Sequence, residues 1–351
     1  MKVFYAVDHR SHWPAREFYR GRLVACYENP KRIDAIEAAL HGEGLSFQCP
    51  PATHDPGLTI ATVHDAKYLQ FLATIHDRWC RHYIDAGEAL DPARTEIIPH
   101  TFPTRNLQPE LPASIHGEVG FYAMDTASPI TSGTWRATLS ATKAATAAVA
   151  AVLQDDCSSA FALGRPPGHH ACRDSYGGYC FLNHAAIAAQ YWLQHLPAES
   201  RIAILDVDFH HGNGTQQIFY ERSDVLFASL HADPSAAYPY FLGRTDETGA
   251  GEGEGFNANF PLPLGTRWPA YLAQLENALQ RISDFGADGL VISFGGDTHE
   301  TDPISGFRLT TKDFREMGRR ITNLRLPTVT IMEGGYDLQS IGPAVTNFLL
   351  Q

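Results

Sequence analysis

The feature that most constrains the fold is an alternation of helical and strand-like segments that runs from Trp135 to the C-terminus. Each predicted strand is short and apolar throughout, and each follows a segment with helical periodicity. Strands that are apolar on both faces and alternate with amphipathic helices indicate a parallel sheet that is covered on both sides. The predicted helices are 136–153, 184–195, 215–221, 269–285 and 311–323, and the strands that follow them are 161–163, 202–205, 225–230, 289–293 and 328–332.

The N-terminal part of the chain has a weaker pattern. Residues 2–7 are typical of a buried strand, and residues 30–42 and 65–79 are typical of helices. Residues 8–29 and 93–134 have no clear period, and such long irregular segments are uncommon unless they have a function. We find no repeat or linker. The predicted fold class is therefore α/β, a single-domain, three-layer, open parallel β-sheet of about eight strands with helices on both faces, spanning residues 1–351.

Composition excludes several classes of function. The 351 residues carry a formal net charge of −12, which argues against a nucleic-acid partner or an anionic membrane surface and favours small cationic molecules. No apolar run approaches the ~18 residues of a membrane span, and the N-terminus becomes polar too early for a secretory signal. The six cysteines form no Cys-x-x-Cys pair, which is typical of reduced thiols. We expect a soluble cytoplasmic protein.

Polar motifs follow four of the predicted strands at their carboxyl ends. They cover residues 165–170, 206–214, 295–297 and 333–336. Because open parallel sheets bind ligands at the carboxyl ends of their strands, these four segments are expected to converge on one site.

Three residues in these motifs have the chemistry of a metal site. Asp208 and His210 alternate along extended chain, and Asp297 follows a neighbouring strand. Two carboxylates and an imidazole suit zinc or a similar divalent ion, and three protein ligands leave a position open for water and substrate. An isolated Asp-x-His pair is more often a surface turn, but the matching clusters on three other strands favour the metal site.

The remaining polar residues suit hydrolysis. His169 and His170 follow a Pro-Pro-Gly turn and offer a general base and a general acid. Asp206 is able to accept an N–H from one imidazole and set its tautomer. Tyr336, between paired glycines and Asp337, is placed to donate to a developing oxyanion. An isolated His pair is as often structural, and an isolated tyrosine is more often a packing residue.

Five motifs together resemble the signature set of the arginase/deacetylase fold, and specifically the histone deacetylase and acetylpolyamine amidohydrolase superfamily. The resemblance is most specific from about 160 to 340. Asp8-His9, Glu17 and residues 133–135 are most similar to the acetylpolyamine amidohydrolase branch. The motifs are Arg165-Pro-Pro-Gly-His-His170, Gly177-Gly-Tyr-Cys-Phe-Leu-Asn183, Asp206-Val-Asp-Phe-His-His-Gly-Asn-Gly-Thr215, Asp297-Thr-His-Glu-Thr-Asp-Pro303 and Glu333-Gly-Gly-Tyr336.

The resemblance implies one Zn²⁺ per chain, with Fe²⁺ as an alternative in the cell. It implies that His170 is the principal general base and acid, that His169, backed by Asp206, assists electrostatically, and that Tyr336 stabilises the oxyanion. It also implies a structural potassium ion. The implied zinc ligands are Asp208, His210 and Asp297, the potassium ligands are Asp206, Ser229, Leu230 and the backbone of Asp208 and His210, and the substrate channel includes Gly178, Tyr179 and Ile304.

Two departures bear on the substrate. Asn213 stands where many protein deacetylases have an aspartate behind the second histidine, and this form is similar to the polyamine branch. His116 stands where a polyamine enzyme is able to place a carboxylate for a distal ammonium, which leaves Glu17 and the nearby Glu118 as candidates for that role. We therefore include Glu17 and His116 among the predicted substrate-binding residues.

The sequence thus predicts a deacetylase of small acetylated amines, such as acetylputrescine, acetylcadaverine and acetylspermidine. A protein lysine deacetylase is the main alternative. Two further alternatives are a two-metal ureohydrolase, in which His299 would be a ligand to the second metal, and a non-catalytic metal-stabilised binding protein. The resemblance also implies a homodimer formed through the excursion at 8–29, which would narrow the mouth of the site.

Overall fold

An eight-stranded parallel sheet forms the centre of the molecule. The computed structural model describes residues 1–104, 108–154 and 156–351. The strand order in the sheet is β4-β1-β5-β10-β9-β6-β7-β8, and every neighbouring pair is parallel. The predicted α/β class and parallel sheet are therefore confirmed. The eight strands are β1 (Lys2–Tyr5), β4 (Phe47–Gln48), β5 (Ser159–Leu163), β6 (Ile202–Asp206), β7 (Val225–Ala232), β8 (Asn257–Leu262), β9 (Gly289–Phe294) and β10 (Thr328–Met332).

Helices cover both faces of this sheet and make a three-layer structure. None of the described helices combines the length and apolar character that crossing a bilayer requires. On one face lie α2 (Gly57–Val63), α3 (Ala66–Asp85), α4 (Ile115–Phe121), α5 (Thr134–Leu153), α6 (His184–Leu193) and α7 (Asn213–Phe219), and on the other lie α1 (Lys31–Gly42), α8 (Trp268–Phe285), α9 (Thr311–Thr322) and α10 (Ile341–Leu349).

Alternation of side chains along β6 shows how one strand serves two cores. Ile202 and Ile204 pack in the core beneath α5 and α6, whereas Ala203 and Leu205 pack in the core beneath α8 and α9. Successive strand residues point to opposite faces, so a strand buried on both sides must be apolar at every position. This requirement is the physical reason that the continuous apolar runs predicted the sheet correctly.

The structure corrects the irregular N-terminal segments. Residues 8–29, predicted to lack regular structure, contain an antiparallel hairpin of β2 (Arg16–Tyr19) and β3 (Arg22–Ala25). Its turn is Arg20-Gly21, with φ of 49° and 76°, the two positive φ values that a tight hairpin turn requires. Within 93–134, where α4 lies, residues 105–107 fall outside the described part of the chain.

Two sheet strands and two further helices, α2 and the C-terminal α10, were absent from the predicted elements. β4 is only two residues long. β8 contains Pro261 and two asparagines, which are unfavourable for a central strand, but it lies at the edge of the sheet, where proline is tolerated. Helix α10 follows the last polar motif and packs against α9 and α1.

Candidate active site

Four neighbouring strands bring the polar motifs together. β5, β10, β9 and β6 are consecutive in the sheet, and one motif follows each of them. Hydrogen bonds join the motifs directly: the N–H of Gly334 donates to Oδ2 of Asp208 at 2.9 Å, and the N–H of Phe209 donates to Oδ1 of Asp297 at 3.0 Å. The structure thus places the four segments at one edge of the sheet, as their spacing predicts.

Asp208, His210 and Asp297 form a compact cluster of ligand type. Nδ1 of His210 lies 3.0 Å from Oδ2 of Asp297 and 3.3 Å from Oδ1 of Asp208. One ligand atom from each residue lies within 4.8 Å of the others, and both carboxylates are fully buried or nearly so. Burial and the charge of Asp208 raise the pKa of Asp297 to about 7. Two buried carboxylates that repel each other beside an imidazole have the donor set and the need for positive charge that suit zinc.

Glycines keep the space around this cluster open. A Cβ at Gly295 would lie 2.1 Å from Oδ2 of Asp208, and a Cβ at Gly334 would lie 2.6 Å from the same atom. Any side chain at either position would displace the carboxylate. The paired glycines of the third and fourth motifs therefore allow the backbone to approach the cluster, which explains their place in the sequence.

The tandem histidines have different partners and opposite pKa shifts. Nδ1 of His169 lies 2.9 Å from Oδ2 of Asp206, whereas Nδ1 of His170 lies 2.7 Å from the amide Oδ1 of Asn213. Burial by itself would lower the pKa of His169, but the carboxylates of Asp206 and Asp208 outweigh burial and raise that pKa to about 10. Burial and the neighbouring His169 and His210 lower the pKa of His170 well below its usual value. The pair thus combines a charged imidazole with a neutral one.

Tyr336 is held over the cavity by its backbone and its ring. Its N–H donates to Oδ2 of Asp302 at 2.7 Å, and the guanidinium carbon of Arg32 lies 4.7 Å from the ring centroid. Arg32 also donates to the carbonyl oxygens of Gly335 and Glu333, each at 2.5 Å. Burial raises the pKa of the Tyr336 hydroxyl well above its usual value, so this hydroxyl keeps its proton.

Sequence analysis missed the buried ion cluster that supports Tyr336. Glu28 is fully buried and accepts from Arg32 at 2.9 Å and from Arg165 at 2.8 and 2.5 Å. Arg165 also donates to the carbonyl oxygens of His9 and His12. The cluster ties the N-terminal excursion to the tandem-histidine and tyrosine motifs. The signal in the sequence was Arg165 itself, a charged residue just after the apolar strand β5. The sequence analysis gave this arginine no role of its own.

A cavity of about 300 Å³ opens onto the candidate site. The predicted channel residues Gly178, Tyr179 and Ile304 line it together with His170, His210 and Tyr336. Rings form much of the wall, since Phe18, Tyr19, Phe209, Tyr238 and Tyr240 also line the cavity.

Asp125, which the sequence analysis did not select, is the acidic side chain among the described residues of this wall. Its Oδ2 accepts from the N–H of Gly178 at 2.6 Å and from the hydroxyl of Tyr238 at 2.8 Å. Its Oδ1 accepts from the N–H of Ala127 at 2.9 Å. The carboxylate therefore joins two walls of the cavity.

The structure does not bring the predicted substrate carboxylate or His116 to the cavity wall. Glu17 is fully buried behind Tyr179, whose hydroxyl donates to it at 2.7 Å, and burial raises the pKa of Glu17 to about 7. Nε2 of His116 lies 2.9 Å from the hydroxyl of Tyr83. Neither residue is among the described residues that line the cavity. Glu118 is held by Arg78 in a bidentate ion pair at 2.7 and 2.9 Å.

His299 and the predicted potassium ligands also have definite positions. His299 turns its ring nitrogens to Thr301 and Thr311, at 2.9 and 3.1 Å, which leaves neither of them for a second metal. Asp206 lies opposite Ser229 in the β6–β7 register, with Leu230 next along β7. The side chain of Ser229 lies 2.8 Å from Nδ1 of His231.

The chain is similar to known proteins over nearly its whole length. Residues 26–351 match the family model of the histone deacetylase domain. Acetylpolyamine amidohydrolase 1 of Pseudomonas aeruginosa is 47% identical, over 99% of this chain and 98% of that protein, and acetylpolyamine amidohydrolase of Mycoplana ramosa is 46% identical over the same shares. The crystal structure of acetylpolyamine aminohydrolase from Burkholderia pseudomallei superimposes with a TM-score of 0.90 at 39% identity, covering 99% of this chain and 98% of that one.

Proposed function

The chain belongs to the histone deacetylase domain family and is a hydrolytic deacetylase, and from this premise we propose that it hydrolyses the acetyl amide of small acetylated amines. The products are acetate and the free amine, and the substrates are acetylpolyamines or acetylated diamines such as acetylputrescine and acetylcadaverine. The observation that carries the proposal is the cavity of about 300 Å³, which is walled by aromatic rings and has Asp125 and His210, one of the three residues of the ligand cluster, in its wall. Aromatic faces and a carboxylate both favour a cation.

The proposed metal is a single zinc ion, with ferrous iron as the alternative, held by Asp208, His210 and Asp297. When bound, such an ion polarises a carbonyl and lowers the pKa of water. The chain's own contribution is to hold two carboxylates against one imidazole nitrogen. The Gly334 and Phe209 N–H groups fix the carboxylate oxygens that face away from that nitrogen. Such outer contacts orient the ligands of a metal site.

His170 is the proposed general base and acid. Its Nδ1–H donates to the amide oxygen of Asn213, so Nε2 carries the lone pair. Because its pKa is lowered by burial and by the neighbouring imidazoles, His170 is neutral and ready to accept a proton from water. It then returns that proton to the leaving amine. His169, held charged by Asp206, stabilises the negative charge that develops nearby.

Tyr336 is the proposed donor to the tetrahedral oxyanion. Its hydroxyl retains its proton because burial raises its pKa well above the usual value. The Arg32 guanidinium packs on the ring and donates to the carbonyl oxygens of Glu333 and Gly335 in the same motif. A donor that is already in place when charge develops contributes most to catalysis.

Two accessory features complete the proposal. A structural potassium ion would be held by Asp206, Ser229 and Leu230 with the backbone of Asp208 and His210, which is supported by the pairing of Asp206 with Ser229 across β6 and β7. A homodimer would form through the N-terminal excursion at 8–29. Trp13 and Leu23 are exposed on this excursion, and a second copy that packs on them and leaves Arg20 and Arg22 in solvent is the proposed cover.

The test is a kcat/KM panel on the zinc-loaded protein, with acetylputrescine, N8-acetylspermidine and an acetyl-lysine peptide. The proposal expects at least one small amine to exceed the peptide by about tenfold or more, the discrimination given by ~1–3 kcal/mol of difference in transition-state binding. Preference for the peptide would instead support a protein lysine deacetylase. Hydrolysis of none of them would contradict the proposed function.

A further inference from the structure

Resting on the proposed function, we propose that Arg20 limits the substrate to an acetylated amine with one ammonium group. Acetylated polyamines with two or more ammonium groups would then be poor substrates. The preferred class is a mono-N-acetylated diamine. The residue acts through its charge at the cavity mouth and takes no part in the hydrolytic step.

The position of Arg20 carries the first part of this inference. Arg20 is exposed at the turn of the β2–β3 hairpin and lines the cavity. It has a φ of 49°, in the left-handed region where asparagine, aspartate or glycine is the ordinary choice in a tight hairpin turn. The turn conformation therefore does not explain why an arginine occupies this position. A role of its side chain at the cavity mouth would explain it.

The surroundings of Arg20 leave its charge uncompensated. Its guanidinium carbon lies 5.1 Å from the ring centroid of Tyr19, which also lines the cavity. Within the described ranges, no carboxylate forms an ion pair with Arg20, although Arg10 and Arg222 each have one. An arginine on an aromatic ring keeps its full charge, so the mouth of the cavity carries a fixed cation.

The deeper wall has the opposite sign. Asp125 is partly buried and is anchored to Gly178 and Tyr238 within the wall, whereas Arg20 is exposed at the rim. Glu17 does not change this balance, because it is enclosed by Tyr179 and Cys26. A first ammonium is therefore attracted by Asp125, and a second one, carried further along the chain of the amine, meets the guanidinium. Like charges at the cavity mouth reduce both encounter and binding.

Four proteins test the proposal: the zinc-loaded wild type, Arg20→Gln, Arg20→Lys and Arg22→Gln. Arg22 is the matched control, because it is exposed on the same hairpin, opposite Tyr19 in the register, and does not line the cavity. Arg22→Gln changes the net charge by the same amount as Arg20→Gln. The substrates are N-butylacetamide with no charge, acetylputrescine with one ammonium and N8-acetylspermidine with two. Each kcat/KM is measured at low and high salt.

The expected result is selective for charge. Arg20→Gln should raise kcat/KM for N8-acetylspermidine relative to acetylputrescine by about three- to tenfold at low salt, the effect of one unit charge a few ångströms away in a solvated mouth, and salt should reduce this gain. N-butylacetamide should be unaffected. Arg20→Lys and Arg22→Gln should keep the wild-type ratio.

An unchanged ratio in Arg20→Gln, or the same change in Arg22→Gln, would overturn the role of Arg20 while leaving the proposed function intact. No hydrolysis of any of the three amides by the wild type would overturn the proposed function, and this inference with it.

Discussion

The amide oxygen of Asn213 lies 2.7 Å from Nδ1 of His170, so the proposed general base has a neutral partner. Replacing this partner with a carboxylate, Asn213→Asp, should raise the pKa of His170 by about one to two pH units. Because a general base must be neutral, the acidic limb of the pH profile of kcat/KM should move to higher pH by the same amount. Activity at pH 6 should therefore fall more than activity at pH 9. Asn213→Ala, which adds no charge, is the control, and an identical shift in both variants would contradict the prediction.

Tyr336→Phe should remove the oxyanion donor and keep the ring on which Arg32 packs. The loss expected for one preorganised donor is about 10²- to 10³-fold in kcat. The melting temperature and the zinc content should remain those of the wild type, because the ring and the Tyr336 backbone bond to Asp302 are retained. Turnover within threefold of the wild type would show that this hydroxyl is not the donor.

Zinc removal should destabilise the protein more at high pH than at low pH. Without metal, burial and Asp208 raise the pKa of Asp297 to about 7, above the ordinary value of 3.8. When a carboxyl group has a higher pKa in the folded state than in the unfolded state, the free energy of unfolding falls as pH rises from the lower value to the higher one. Zinc pairs with both carboxylates, so the difference in melting temperature between zinc-loaded and chelated protein should grow from pH 5 to pH 8. Asp297→Asn should show little pH dependence in the chelated state, and a difference that is constant with pH would oppose the assignment.

Glu28→Gln should strongly destabilise the fold. Glu28 is fully buried between Arg32 and Arg165, and removing one partner of a buried ion cluster costs about 3–5 kcal/mol. The two arginines lower the pKa of Glu28 to about 2, in spite of its burial. Its contribution is therefore complete above the ordinary value of 4.5 and is lost as pH falls towards 2.

Urea unfolding of Glu28→Gln at pH 7 and at pH 3.5 measures both effects. The control is Asp34→Asn, which removes the partner of Arg10 in an exposed ion pair and should change the free energy of unfolding by less than about 1 kcal/mol. Equal effects of the two substitutions would contradict the assigned role of Glu28.

Several features of the fold were predictable because their causes are local. The apolar runs of β6 and β9 are required by burial on both faces. The amphipathic period of α8 follows from the burial of one side of that helix. The hairpin at 16–25 was not predicted, although Arg20-Gly21 is a two-residue turn. Its strands are short and mostly exposed, so neither gave a pattern of burial.

The positions of the cluster of Asp208, His210 and Asp297 and of the tandem histidines were predictable for a different reason. Parallel strands bring their carboxyl ends to one edge, so Asp208, His210 and Asp297 were expected at the same edge; the pairing of β6 with β9 in the structure is what brings them together. The resemblance to the deacetylase family, now confirmed, pointed to the same residues.

The side chains that line the cavity were not predictable in this way. Glu17 was expected at the substrate, but it is enclosed by Tyr179 and Cys26, and His116 packs near Tyr83. Asp125 and Arg20, which line the cavity, have no motif around them. Whether a loop side chain faces a cavity or a neighbour depends on how distant loops pack, and no local period records that.

The sequence by itself determined the parallel sheet, the edge at which the site lies and the chemistry of the residues there, because periodicity and strand direction express these locally. Only the tertiary structure decided which charges reach the cavity and what holds Tyr336 in place. Arg32 contacts the carbonyl of Gly335 across 303 positions of the chain, and Arg165 contacts Glu28 across 137. Such contacts depend on the packing of the whole molecule, since each joins groups whose own segments of the sequence give no sign of the other.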